Sequence, residues 1–295
     1  MVAAARRAAR SVSSVLSRFS WLRLGLLLTA PLAWLIAIYV VALAALLLTA
    51  LWQVDSFTGN IDRGALTFDN IKNVLTTPLY RTVAFRTLGV AALVTVIDVA
   101  IALPIAFFMA KVAPPRWRRI LLIAVLTPLW ASYLVKAFAW RATLSQGGLF
   151  EWLGTPFGIE SPGYGLTAVI ITQAYIWLPF VILPIFAGLE RVPDSLMEAS
   201  SDLGAGPMRT LRHVVLPVLF PAIIAGAIFS FSLTLGDYIT VNIVGGANQM
   251  LGNLVYVNQG AANNLPLAAA IALIPIAIMI VFLAAVRRTG ALDNL

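Results

Sequence analysis

Five ionisable side chains, Glu198, Asp202, Arg209, Arg212 and His213, crowd into the stretch MEASSDLGAGPMRTLRHVVLP, Met197 to Pro217, in a chain with only 11% charged residues. Three more, Asp98, Lys136 and Asp237, stand inside long apolar runs, where an ionisable group is costly and points to a functional role. A carboxylate beside an aromatic ring, as in Asp237-Tyr238, suits a cation: the acid supplies charge, and the ring face adds about 0.5 to 2 kcal/mol of cation–π attraction. Tyr175 and Trp177 offer further ring faces in a neighbouring run. Hydrolytic or redox chemistry is a poor fit. There are no cysteines and one histidine, His213, and no GxSxG, HExxH or GxxxxGK[ST] pattern occurs, so the chain carries no ATPase loop of its own.

These residues must be positioned by membrane helices. With 295 residues, 61% of them apolar, and a mean hydropathy of +0.93, the chain reads as an all-α integral membrane protein. Apolar windows long enough to cross a core of about 30 Å fall at Leu24 to Trp52, Thr82 to Ala110, Ile120 to Trp140, Tyr164 to Leu189, Leu216 to Val244 and Leu265 to Val286. No barrel-like alternation is present, so helices must satisfy the backbone. Six spans place both termini on one side.

The side follows from charge. The segments 1–23, 111–119, 190–213 and the tail hold 14 of the 20 Lys and Arg, while the loops at 53–80, 142–163 and 245–263 contain only Arg63 and Lys72. By the positive-inside rule the first set is cytoplasmic. The net charge of +8 therefore reads as orientation rather than as a nucleic-acid face. Residues 1–23 are expected to form an amphipathic helix on the membrane lipid of the inner leaflet, because Val12, Val15, Leu16, Phe19 and Leu22 recur at helical spacing; a basic leader without structure is the alternative. Residues 24–295 form the six-span domain.

Depth can be counted at 1.5 Å per residue. Asp98 lies about 20 Å from Lys111, near the bilayer centre; Asp237 lies about 30 Å from Pro217, toward the outer end of its span; and Lys136 reaches a similar depth, about 25 Å from Arg119. Asp237, Tyr238, Asp98, Tyr175 and Trp177 are the substrate-path candidates. The alternatives are structural: Asp98 paired with a basic group, Asp237 paired with Lys136, and the aromatics serving as interfacial belt or core. Pro179, Pro184, Pro217 and Pro221 weaken helical hydrogen bonding around the fourth and fifth spans.

The charged 190–217 loop reads as two short helices. Pro193 and Asp194 suit the start of the first, Gly204 ends it, and Gly206-Pro207 begins the second, which Pro217 perturbs at the membrane. Its pattern is specific. Glu198-Ala199-Ser200, three residues, Gly204, nine residues, then Val214-x-Leu216-Pro217 closely resembles the EAA signature of bacterial ABC importer permeases, with Ser200 for the second alanine and Val214 for isoleucine. YIWLPFVILPIFAGLERVPDSLMEASSDLGA and FSLTLGDYITVNIVGG resemble the spermidine/putrescine branch of that family.

The resemblance implies the type I importer permease fold, with Glu198, Ala199, Ser200, Gly204, Leu216 and Pro217 in the element that couples to the ATPase. It implies a second permease, a cytoplasmic ABC ATPase dimer that holds the ATP and magnesium, and an extracytoplasmic solute-binding protein. It also implies a bacterial inner-membrane location, no cofactor on this chain, and a small cationic cargo such as putrescine or spermidine. Another small solute, or an ion-coupled secondary transporter, is the competing reading. The latter often carries an internal repeat, and none is clear between the first and last three spans.

Overall fold

The computed structural model describes residues 20–55, 58–64 and 66–290. The surface helix expected over residues 1–23 lies outside the described residues, except that 20–23 belong to the first long helix.

Helix α1 (Ser20–Ala50) ends in a short hairpin, β1 (Gln53–Val54) against β2 (Ile61–Asp62), and then α2 (Asp69–Thr76). There follow α3 (Pro78–Phe107), α4 (Pro115–Trp130), α5 (Tyr133–Leu144), α6 (Leu149–Gly154), α7 (Leu166–Arg191), α8 (Asp194–Asp202) and α9 (Pro207–Thr210). The chain continues through α10 (Leu216–Gly236), α11 (Ile239–Val244), α12 (Leu251–Gln259) and α13 (Leu265–Arg288). Five stretches are long and apolar enough to cross a membrane, and α4 and α5 reach that length only together, as a pair bent by 95° at the break between them.

Two expected spans differ in detail. The run Ile120 to Trp140 is not one straight helix: Ala131 and Ser132 are extended between α4 and α5, just after Pro128, whose missing N–H loosens the last turn of α4. The fifth span starts earlier and ends sooner than Leu216 to Val244. Residues Pro207–Gly236 form one 30-residue apolar helix that breaks at Asp237 and Tyr238. Within it, Leu211–Val215 is a widened π turn, closed by the Leu216 amide donating to the Leu211 carbonyl. Pro217 follows immediately, so the wide turn gives room where the ring would meet the preceding backbone.

The centre of the bundle is α3, α7 and α10. Ala102, Ala106, Val181, Ile182, Ile185, Val215 and Leu219 form one buried cluster, and Val90, Val94, Val169, Ile176 and Trp177 form another further along the same helices. Helices α7 and α10 meet at small residues: a Cβ on Gly188 would lie 2.6 Å from the Cβ of Ala222, and one on Gly226 would lie 3.0 Å from Val181 Cγ1. Lipid tails are as apolar as leucine, so such close backbone approach, rather than hydrophobic burial, drives the association. Helix α1 stands outside this centre and touches mainly α13, leaving Trp34, Ile36, Tyr39 and Val41 exposed.

Candidate functional site

The break in the fifth span builds the first site. Asp237 leaves the helix at the end of α10, and its Oδ1 accepts from the amides of Ile239 at 3.0 Å and Thr240 at 3.1 Å, so the same carboxylate starts α11. Its Oδ2 accepts from Gln173 Nε2 of α7 at 2.9 Å. Asp237 is 7% exposed. It forms one edge of an open recess of about 350 Å³ lined by Tyr133, Trp177, Ser232, Leu233, Gly236, Tyr238 and Ile239.

Aromatic rings face that recess. Tyr133 stacks on Trp177 with centroids 5.6 Å apart, and its hydroxyl is 2.5 Å from the Thr240 hydroxyl. Phe180 and Phe229 extend the series from Trp177, while Tyr238 stacks on Tyr256 at 4.8 Å. A carboxylate rim beside ring faces attracts a cation. Three expected residues, Asp237, Tyr238 and Trp177, thus share one recess.

Tyr175 and Asp98 lie elsewhere. Tyr175 is half-exposed and packs on Trp140 at 5.3 Å, beyond the recess lining. Asp98 is fully buried among α3, α7 and α10, where Ser230 Oγ donates to its Oδ2 at 2.6 Å. Among the described residues Lys136 makes no ion pair with Asp237 or Asp98; the ion pairs are Lys111–Asp194 and Arg118–Glu190. Neither Tyr133 nor Gln173 stood out in the sequence. A glutamine inside an apolar span was a usable signal, whereas Tyr133 gains its place only through the bend between α4 and α5. No three His, Asp or Glu side chains converge as metal ligands among the described residues.

The second site is the 190–217 loop. Helix α8 is tied back to the π-helical turn Phe108–Val112 that continues α3, where Lys111 Nζ lies 2.7 Å from Asp194 Oδ1 and 2.7 Å from the Val192 carbonyl. After α8 the chain reverses at Gly204, which adopts φ +79°, a conformation that a Cβ disfavours. The Ala205 amide donates to the Ser200 carbonyl at 3.1 Å, and the Ser200 and Thr210 hydroxyls meet at 2.9 Å, which locks α8 onto α9. Leu216 and Pro217 open α10 below them. Glu198 and Ala199 are exposed along with Leu203, which is 89% exposed, and the Glu198 side chain has no hydrogen bond or ion pair among the described residues. A rigid knob with a bare carboxylate and an exposed leucine has the character of a protein docking surface.

Comparison with known proteins places the chain in a family. Residues 91–289 match the family described as "Binding-protein-dependent transport system inner membrane component". The chain is 41% identical to the inner membrane ABC transporter permease protein YdcU of Escherichia coli (strain K12), over 95% of each chain. It is 30% identical to the spermidine/putrescine transport system permease protein PotB of Haemophilus influenzae, covering 82% of this chain and 85% of that one. Among solved structures, a bacterial alginate ABC transporter in complex with its alginate pentasaccharide-bound periplasmic protein superposes with a TM-score of 0.70 at 14% identity, covering 95% of this chain and 97% of that chain; it shares the fold. The inward-facing MetNI methionine ABC transporter does so at 0.58 and 19% identity, over 72% of this chain and 95% of that chain. A family match across most of the chain, the EAA loop and the shared fold make this protein a multi-pass membrane permease of the binding-protein-dependent ABC importer family.

Proposed function

We propose that this permease carries a small cationic solute of the polyamine class, and that the recess at Asp237 is a contact point on its path. The observation that carries the reading is the pairing of one carboxylate with the faces of Tyr133, Trp177 and Tyr238 in an otherwise apolar wall. The relatives named for spermidine and putrescine support the same cargo. A flexible diamine has two charges joined by methylenes, and such a wall offers it both charge and apolar contact.

The transporter is completed by a second permease, a solute-binding protein on the outer side and an ATPase pair that holds ATP and magnesium on the inner side. Both termini and the 190–217 loop face the cytoplasm, in keeping with the basic residues at that end. Glu198, Ala199, Ser200 and Gly204 engage the ATPase, with Leu216 and Pro217 fixing the root of the knob. In this arrangement the chain moves solute and leaves hydrolysis to its partner.

The test is uptake by the complete transporter in proteoliposomes. Labelled putrescine should enter with ATP inside, and unlabelled spermidine should compete, while a dicarboxylate of equal length should not. Equal competition by the dicarboxylate, or no ATP-dependent putrescine uptake, refutes the cargo.

A further inference from the structure

At the end of the bundle that carries the 190–217 loop, the first turns of α4 and the last turns of α7 leave an open recess of about 340 Å³. It is walled by Pro115, Arg118, Arg119, Leu122, Phe186 and Glu190. Arg118 pairs with Glu190 and lies over the Phe186 ring, 5.3 Å from its centroid. Glu190 is the one carboxylate in the wall, and Arg118 consumes it. Arg119, and Arg116 beside the recess, form no ion pair among the described residues, and the first turn of α4 contributes no acid. The recess therefore holds an excess of positive charge at the edge of the apolar zone.

The second feature is what lies next to the charge. Arg119, Leu122, Ile123 and Leu126 follow at three- and four-residue steps, so they share one face of α4. That face leads from the arginines directly into the membrane zone, where Ile123 is exposed, and Trp117 stands exposed one turn before Leu121. A soluble phosphate needs only the arginines. A ligand that uses both the arginines and the adjoining apolar stripe has an anionic head on a hydrocarbon tail.

We propose that this recess binds an anionic phospholipid of the phosphatidylglycerol class. Its phosphate sits between the Arg118 and Arg119 guanidinium groups, which suit phosphate through their forked donors, and an acyl chain lies along Leu122, Ile123 and Leu126. The Arg118–Glu190 pair then acts as a competitor inside the site: the lipid phosphate and the Glu190 carboxylate share one guanidinium.

Native mass spectrometry of the complete transporter, this chain with its partner permease and ATPase, released from nanodiscs of equal phosphatidylglycerol and phosphatidylcholine with matched acyl chains, tests this. Wild type should retain phosphatidylglycerol at least fivefold over phosphatidylcholine. Arg119→Gln, which breaks no ion pair of the fold, should reduce that preference at least threefold, whereas the equal charge loss in Arg288→Gln at the end of α13 should not. Glu190→Gln should increase retention by freeing Arg118. Inorganic phosphate at millimolar concentration should displace little of the lipid. The proposal is overturned if Arg119→Gln and Arg288→Gln lower retention alike, if phosphatidylcholine is held equally, or if phosphate alone displaces the lipid fully. It is likewise overturned if Arg119→Gln keeps its lipid but loses the partner ATPase, which assigns the recess to a protein.

Discussion

Asp237 has two duties in one carboxylate, and two substitutions separate them. Oδ1 holds the start of α11 by accepting from Ile239 and Thr240, while Oδ2 accepts from Gln173. In Asp237→Asn the side-chain oxygen can keep the Oδ1 bonds, and the new amide group faces Gln173. Gln173 Oε1 is buried without a hydrogen-bond partner, so a flip of the Gln173 amide turns a donor facing a donor into an ordinary hydrogen bond. The substitution thus removes a charge at almost no structural cost. If the carboxylate meets a cationic cargo, the loss is that of a charge-assisted hydrogen bond, about 1.5 to 3 kcal/mol, or roughly a 10- to 150-fold fall in apparent affinity. Asp237→Ala also removes the helix start, costing about 1 kcal/mol, and strands buried donors at about 1 to 3 kcal/mol more. The assay is the initial rate of putrescine uptake against concentration in proteoliposomes, with the thermal midpoint of each purified complex alongside. Asp237→Asn should raise the KM for uptake more than tenfold with an unchanged midpoint, and Asp237→Ala should raise the KM and also lower the midpoint. Wild-type kinetics in Asp237→Asn together with a destabilised Asp237→Ala would show that the residue only builds the helix break, and the reasoning about cargo fails.

Two further outcomes follow from the loop and the helix contacts. Glu198 has no partner within the described residues and Gly204 needs positive φ with open space around it, so Glu198→Ala and Gly204→Asp should leave the fold intact. The second costs about 1 kcal/mol in backbone conformation, and both should lower retention of the ATPase through detergent washing and ATP-driven uptake; full retention and uptake in both variants removes the loop from the coupling role. At the α7–α10 contact, Gly188→Val should cost about 1 to 3 kcal/mol by overpacking against Ala222 and Leu219, whereas Gly89→Ala, with nothing within 4 Å of the added carbon, should be neutral or stabilising by up to about 1 kcal/mol in thermal unfolding of the purified protein.

The class of the protein was legible from the chain because lipid restricts the choices. Unbroken apolar runs have to be helices, and the Glu198-to-Pro217 spacing fixes a local, sequence-contiguous loop whose turn at Gly204 depends on nothing distant. The run of residues alone also marked Asp237 and Tyr238 as exceptional, since a carboxylate within a span is costly wherever the span ends up. Other features required the fold. The 95° bend between α4 and α5 carries Tyr133 across to Trp177, and no local signal says where a chain leaving a bend will land. Asp98 and Asp237 look alike as acids in apolar runs, yet one is sealed against Ser230 while the other edges a recess, because the packing of α3, α7 and α10 decides which helix face is interior. Periodicity places residues on a face of a helix; only tertiary contacts say what that face meets.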